Sequence, residues 1–259
     1  MISSTMMDYY PQYSPDGSRI AFASDRSGAT EIWTANGDGS NQVQITSFGS
    51  RAAAPRWSPD ARSIAFSSAK EGRLGIYVVD AQGGEPRRVV DGWRPSWSMD
   101  GKWIYFGTKR SGSEQVWKVG ANGANSVQVT RAGGFELQES ADGKWLLYTK
   151  SDHDPGLWRM PPAGGPEELI LHDVMAGNWS PIAGGILWAT GGGMSIAGYS
   201  PDGIQTVTRY WFESGQSKTM GRIDRSMSGG TSATRDGRYF LWSRVERSDS
   251  DLLLVENVR

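Results

Sequence analysis

Cysteine is absent from the 259 residues, which excludes disulfides and thiolate chemistry and leaves the compartment open. Histidine is nearly absent. His153 and His172 are the only two, and no Gly-x-Ser-x-Gly elbow exists, since Gly193-Met194-Ser195-Ile196-Ala197-Gly198 has the wrong spacing. A nucleophilic triad therefore has no basis in the sequence. No apolar run approaches the roughly 18 residues of a membrane-spanning helix, and no stretch reads as a helix of useful length. The net charge of −1 supplies no field for nucleic acid or an anionic membrane, and the basic residues are not gathered with stacking aromatics. Direct nucleic-acid binding and membrane insertion are not expected, so charge-driven recognition must be local. Met1-Ile2-Ser3-Ser4 lacks the order of an export signal, which makes the chain as written either cytoplasmic or a segment of something longer.

What is present is one phrase that recurs. It reads Pro55-Arg56-Trp57-Ser58-Pro59-Asp60-Ala61-Arg62-Ser63-Ile64-Ala65-Phe66, a strand, a tight turn and a second apolar strand. Variants are anchored on Asp16, Asp100, Asp142 and Asp236, and on Ile182 in a copy that has lost its Asp. Their spacing, with one longer interval, is roughly 40 to 45 residues, the range of four-stranded propeller blades. Pro sets φ at the start of the turn, Asp bonds a following backbone N–H, and Gly takes the positive φ that closes it. Such a hairpin unit cannot bury both faces alone and needs stacked neighbours.

These units predict an all-β fold: one six-bladed β-propeller spanning 1–259, with four antiparallel strands per blade. Met1-Ile2-Ser3-Ser4-Thr5 is similar to the outer-strand phrase Gln44-Ile45-Thr46-Ser47, and the last blade runs out of chain after three strands. Residues 1–5 are therefore expected to pair into the last blade and close the ring. Blade five should carry an insertion, Gly191 to Gly203, before its third strand, Thr206 to Phe212. The 12 tryptophans fall mostly at equivalent places in the repeat, which points to packing between blades.

Strand alternation then nominates a site. The first strand of each blade lines the channel, and two residues before the turn serine stand Gln12, Arg56, Ser96, Gln138, Asn178 and Ser232, all polar. Counting two further back gives Tyr10, Arg94 and Glu136 among others. The candidate ligand-binding set is Gln12, Arg56, Arg94, Glu136, Gln138, Asn178, Tyr10 and Ser96. The other reading of this ring is a water-filled channel that binds nothing. A rim of Arg26, Arg51, Lys70, Arg73, Lys109, Arg110, Arg131 and Lys150 against Asp25, Glu71, Asp152 and Asp154 adds a positive bias suited to an anionic ligand.

The phrases Tyr13-Ser14-Pro15-Asp16-Gly17-Ser18-Arg19-Ile20-Ala21-Phe22, Ser24-Asp25-Arg26-Ser27-Gly28 and Ile76-Tyr77-Val78-Val79-Asp80-Ala81 resemble the WD40-like PD40 repeats of TolB-type six-bladed propellers. The ending, Ser248 to Arg259, resembles propeller segments that follow winged-helix DNA-binding regions in bacterial transmembrane regulators. This resemblance implies a sensor or binding module for a protein or small polar ligand, and related propellers are often periplasmic. The chain is expected to act as a monomer. The alternative is a promiscuous metal-assisted hydrolase of lactones or phosphotriesters. It would hold Ca²⁺ in the channel through Glu136, Gln138, Asn178 and Gln12, with Asp8 and Glu139 nearby. Arg56 and Arg94 oppose that cation, so no cofactor is the first expectation; whether the chain is an enzyme stays open.

Overall fold

The computed structural model describes residues 2, 6–70, 72–190, 205–223, 227–246 and 249–256. Five sheets have four antiparallel strands each, in chain order. The first holds β1 (Asp8–Tyr13), β2 (Arg19–Ser24), β3 (Glu31–Asn36) and β4 (Val43–Gln44). The second holds β5 (Ala52–Trp57), β6 (Ser63–Ser68), β7 (Gly75–Asp80) and β8 (Arg87–Asp91). The third holds β9 (Trp93–Trp97), β10 (Trp103–Thr108), β11 (Gln115–Gly120) and β12 (Val127–Gln128). The fourth holds β13 (Glu136–Glu139), β14 (Leu146–Thr149), β15 (Leu157–Met160) and β16 (Glu168–Leu171). The fifth holds β17 (Trp179–Ile182), β18 (Gly185–Ala189), β19 (Gln205–Trp211) and β20 (Ser217–Ile223). A sixth sheet has three strands, β21 (Met227–Ala233), β22 (Tyr239–Glu246) and β23 (Asp249–Glu256).

The expectation of six four-stranded blades closed by an N-terminal strand is thereby overturned: there are five four-stranded blades, and the last sheet has no fourth strand among the described elements. Residues 1 and 3–5 of the expected closing strand lie outside the described residues, as does the expected insertion at 191–203. Ile2 is buried with Tyr13, Phe22 and Leu241 and makes a single isolated β-bridge, which is not a strand of the last sheet. Likeness to a four-residue phrase sets no pairing, because register comes from which faces are buried.

The recurring turn shows why the phrase is repeated. Ser58 Oγ donates to Asp60 Oδ1 at 2.6 Å and accepts the Ser63 N–H at 2.9 Å, while Asp60 Oδ1 accepts the Arg62 N–H at 3.1 Å. The same three bonds recur around Ser14 and Asp16, Ser98 and Asp100, Ser140 and Asp142, and Thr234 and Asp236. The turn's serine is thus as necessary as its aspartate, since it ties both strands. The positive φ falls on Gly17, Gly101, Gly143 and Gly237, and on Ala61 in the second blade.

Behind the turns the second strands stack Phe22, Phe66, Phe106, Tyr148 and Phe240, all buried. Tryptophans bridge neighbouring blades: Trp57 Nε1 donates to the Gln12 carbonyl at 3.2 Å and Trp97 Nε1 to the Arg56 carbonyl at 3.1 Å. Among the described residues no helix is long and apolar enough to cross a membrane.

Candidate functional site

The first strands are not uniform ladders. In β1, Tyr10 and Pro11 together oppose Phe22; in β5, Ala54 and Pro55 oppose Phe66; in β9, Arg94 and Pro95 oppose Phe106. Each is a β-bulge whose first residue has a positive φ, 54° at Tyr10, 53° at Ala54 and 52° at Arg94. The following proline lacks the N–H that the bulge would leave unpaired. Counting by twos fails across such a bulge, so Tyr10 and Arg94 do not continue the ring of Gln12 and Ser96. In β13 the ladder is continuous, with Glu136 opposite Thr149 and Gln138 opposite Leu147. The x-Pro pair was the sequence signal for the three bulges.

Where the first strands converge lies a cavity of about 300 Å³, on the face that carries the Ser-x-Asp turns. Its floor is Gln12, Arg56, Ser96, Gln138, Ser180 and Ser232, one residue from each first strand. Its collar is Trp57, Trp97, Pro15, Pro59, Met99 and Pro181. Four of the expected site residues, Gln12, Arg56, Ser96 and Gln138, are therefore brought together.

Asn178 is not on that floor. In the fifth blade Ser180 faces Leu187, as Gln138 faces Leu147 and Ser232 faces Leu241. The missing Asp shortens the turn, with Ile182 already opposite Gly185, so a gapless overlay misplaces this strand by two residues. Asn178 sits deeper, buried, with no partner for its Nδ2 among the described residues.

Four floor residues act as struts. Gln12 Oε1 accepts the Trp57 N–H at 2.7 Å, Ser180 Oγ the Ala233 N–H at 3.1 Å, and Ser232 Oγ the Tyr13 N–H at 3.1 Å. Ser96 Oγ donates to the Leu137 carbonyl. Glu139 performs the same bridging one position on, accepting from Met99 N and from Tyr105 Oη, each at 2.7 Å. Arg56 cannot serve in the same way as Gln12, Ser180 and Ser232, because a guanidinium has no acceptor to offer. Its hydrogen bond goes to the adjacent Pro55 carbonyl at 3.2 Å, and among the described residues no carboxylate forms an ion pair with it. Burial draws its pKa down to about 10; Glu136 props it up, and Arg94 lowers it further.

On the opposite face, a mainly apolar cleft of about 410 Å³ is lined by Tyr10, Ala54, Leu74, Trp93, Arg94 and Phe135, with Arg51, Lys109 and Glu114 at its edge. Arg94 is buried here, 3.4 Å from Glu136 and stacked 4.9 Å over the Tyr10 ring and 5.7 Å over Phe135. The other Glu136 oxygen accepts the Gly177 N–H at 2.6 Å. Gly177, at φ +81°, lets the chain come this close, for a Cβ there would stand 3.2 Å from Arg94 Nη1.

The expected positive rim is largely committed to the fold itself. Arg26 pairs with Asp8 at 2.7 Å and lies over Trp33, Lys150 pairs with Glu167 at 2.7 Å and lies over Trp158, and Arg73 and Lys109 pair with Asp91 and Glu114. Lys70 and Arg110 lie over Phe48 and Trp117. Glu71 lies outside the described residues. For a channel Ca²⁺, Glu136 and Glu139 would have to leave partners they already hold, and among the described residues no three His, Asp or Glu side chains gather as a metal site.

The family model for the TolB beta propeller domain, PD40, matches residues 11–196. Among solved structures, TolB from Acinetobacter baumannii superposes with a TM-score of 0.73 at 19% identity, over 93% of this chain and 62% of that one. This chain thus spans less than two thirds of that protein's length. A putative TolB from Agrobacterium tumefaciens gives 0.68 at 18% identity, covering 98% and 91%. An oligogalacturonate lyase from Vibrio parahaemolyticus gives 0.61 at 13%, covering 98% and 77%. At these identities the likeness shows the fold alone. No curated protein matches the sequence.

Proposed function

Because the chain belongs to the TolB beta propeller domain family, we propose that it is a binding module whose protein or peptide partner enters the hub on the Ser-x-Asp turn face. One observation carries this reading. A polar floor drawn from all six first strands lies under an apolar collar of Trp57, Trp97, Met99 and three prolines, in a cavity sized for a side chain or a chain end. Buried aromatic anchors around a few fixed polar groups are the usual composition of a recognition hot spot. A sensor segment within a longer regulator is the finer form of the same proposal, carried by the resemblance of residues 248–259. The hydrolase reading has less support, since both hub carboxylates are already hydrogen-bonded to the fold.

Peptides selected by display on the immobilised protein test it. Gln138→Trp, which fills the cavity, is expected to weaken capture at least tenfold, and Leu74→Asp in the opposite cleft to leave it unchanged. Capture lost with Leu74→Asp and kept with Gln138→Trp would move the site to the other face.

A further inference from the structure

We infer that the hub is a receptor for a single carboxylate on an apolar stem, with Arg56 as the residue that reads the charge; this rests on the binding reading above. Four floor positions, Gln12, Ser96, Ser180 and Ser232, spend a side-chain oxygen on a neighbouring strand. The Arg56 side chain, at the same position of its blade, bonds among the described residues to its own preceding carbonyl. Arg56 is half-buried in the cavity wall with its charge unmatched by an ion pair among the described residues, and a residue chosen only to hold blades together would be a serine or glutamine like its neighbours.

The charge count selects the ligand. Arg56 brings one positive charge to the floor, while on the opposite face Arg94 is already matched by Glu136, which also accepts the Gly177 N–H. At the mouth Glu139 and Arg235 contribute one charge of each sign, with Glu139 bound to Met99 N and Tyr105 Oη. One positive charge is left over, which suits a monoanionic carboxylate and not a phosphate dianion. Gln138, half-buried on the same floor as Arg56, supplies an amide donor for the second oxygen. Above them the ring of Trp57, Trp97, Met99, Pro15, Pro59 and Pro181 offers apolar surface to whatever carries the carboxylate. The source is either a chain end or an acidic side chain.

The test uses small probes followed by NMR at the indole N–H signals of Trp57 and Trp97. N-acetyl-leucine presents an α-carboxylate, the α-amide of N-acetylaspartate a side-chain carboxylate, N-acetyl-leucinamide no charge, and inorganic phosphate a dianion. At least one carboxylate is expected to bind about tenfold or more tightly than the neutral amide, a margin that Arg56→Gln removes and Arg56→Lys partly keeps. The tighter carboxylate identifies the source. If the variants lose their fold by thermal melt, the acid-to-amide comparison on the unaltered protein still decides. Equal binding of acid and amide, or a margin that survives in Arg56→Gln, overturns the carboxylate assignment. It leaves the binding reading intact if Gln138→Trp still blocks the probes. Phosphate binding most tightly overturns the single-charge count. If no probe moves either indole signal, the receptor assignment fails, and the display experiment alone judges the binding reading.

Discussion

Ser232 Oγ accepts the Tyr13 N–H at 3.1 Å, a bond between residues 219 positions apart that ties the three-stranded sheet to the first blade. Both residues are buried, so Ser232→Ala leaves an N–H with no partner, which costs about 1–3 kcal/mol. The melting temperature should fall, and Ser232→Thr, which keeps the hydroxyl, should recover part of the loss. An unchanged melt in the alanine variant would show that this junction carries no stability.

Glu136 and Arg94 form a buried ion pair at the floor of the molecule. Removing one partner strands the other charge, so Glu136→Leu is expected to cost about 3–5 kcal/mol in denaturant unfolding. The double change Glu136→Leu with Arg94→Met should cost less than Glu136→Leu alone. Additive losses would argue against the coupling.

The turn aspartates Asp16, Asp60, Asp100 and Asp142 have pKa values lowered chiefly by the hydroxyl of the turn serine; in Asp236 the largest lowering comes from the Arg238 N–H. A carboxyl held below its unfolded value adds stability above the unfolded pKa and loses it as pH falls through the folded one. Melts should therefore decline below about pH 4, the range of unperturbed carboxyls. Buried Asp8 is raised and acts in the opposite sense, one group against five. Replacing Asp100 by Asn should flatten the acid limb; an identical limb would mean that these turns do not govern acid stability.

Ala54 and Gly230 share a positive φ at matching places in their strands, 53° and 94°. Ala54→Gly relieves the steric cost of that conformation, about 1–2 kcal/mol, against about 0.4–1 kcal/mol of added unfolded-chain entropy. The expected result is a melt unchanged or slightly higher. Gly230→Ala should lower it, because the new Cβ would stand 2.9 Å from Tyr10 Cδ1. A tolerated Gly230→Ala would show that the first strand relaxes more freely than the bulge suggests.

Much of this architecture was legible beforehand, for a stated reason. The Ser-x-Asp turn closes through bonds among residues at most five apart, so each copy announces its hairpin locally. Counting back from that serine reached Gln12, Arg56, Ser96 and Gln138, because each stands only two positions before a fixed landmark. It failed at Asn178, where the shortened turn moved the landmark. It failed again at Tyr10 and Arg94, beyond a bulge marked only by a proline. Whether Arg26 or Lys150 of the positive rim is paired depends on Asp8 and Glu167, 17 or more residues away, which no local phrase displays.

The order of residues by itself determined an all-β repeat of four-stranded units and the polar character of its innermost strands, since turn chemistry and alternation act over a few residues. Only the tertiary arrangement decided that the last sheet has three strands among the described elements, that the hub opens on the turn face, and that Glu136 neutralises Arg94 and leaves Arg56 without an ion pair among the described residues. Those outcomes depend on distances between blades, and long-range electrostatic pairing and burial have no signature in a local phrase.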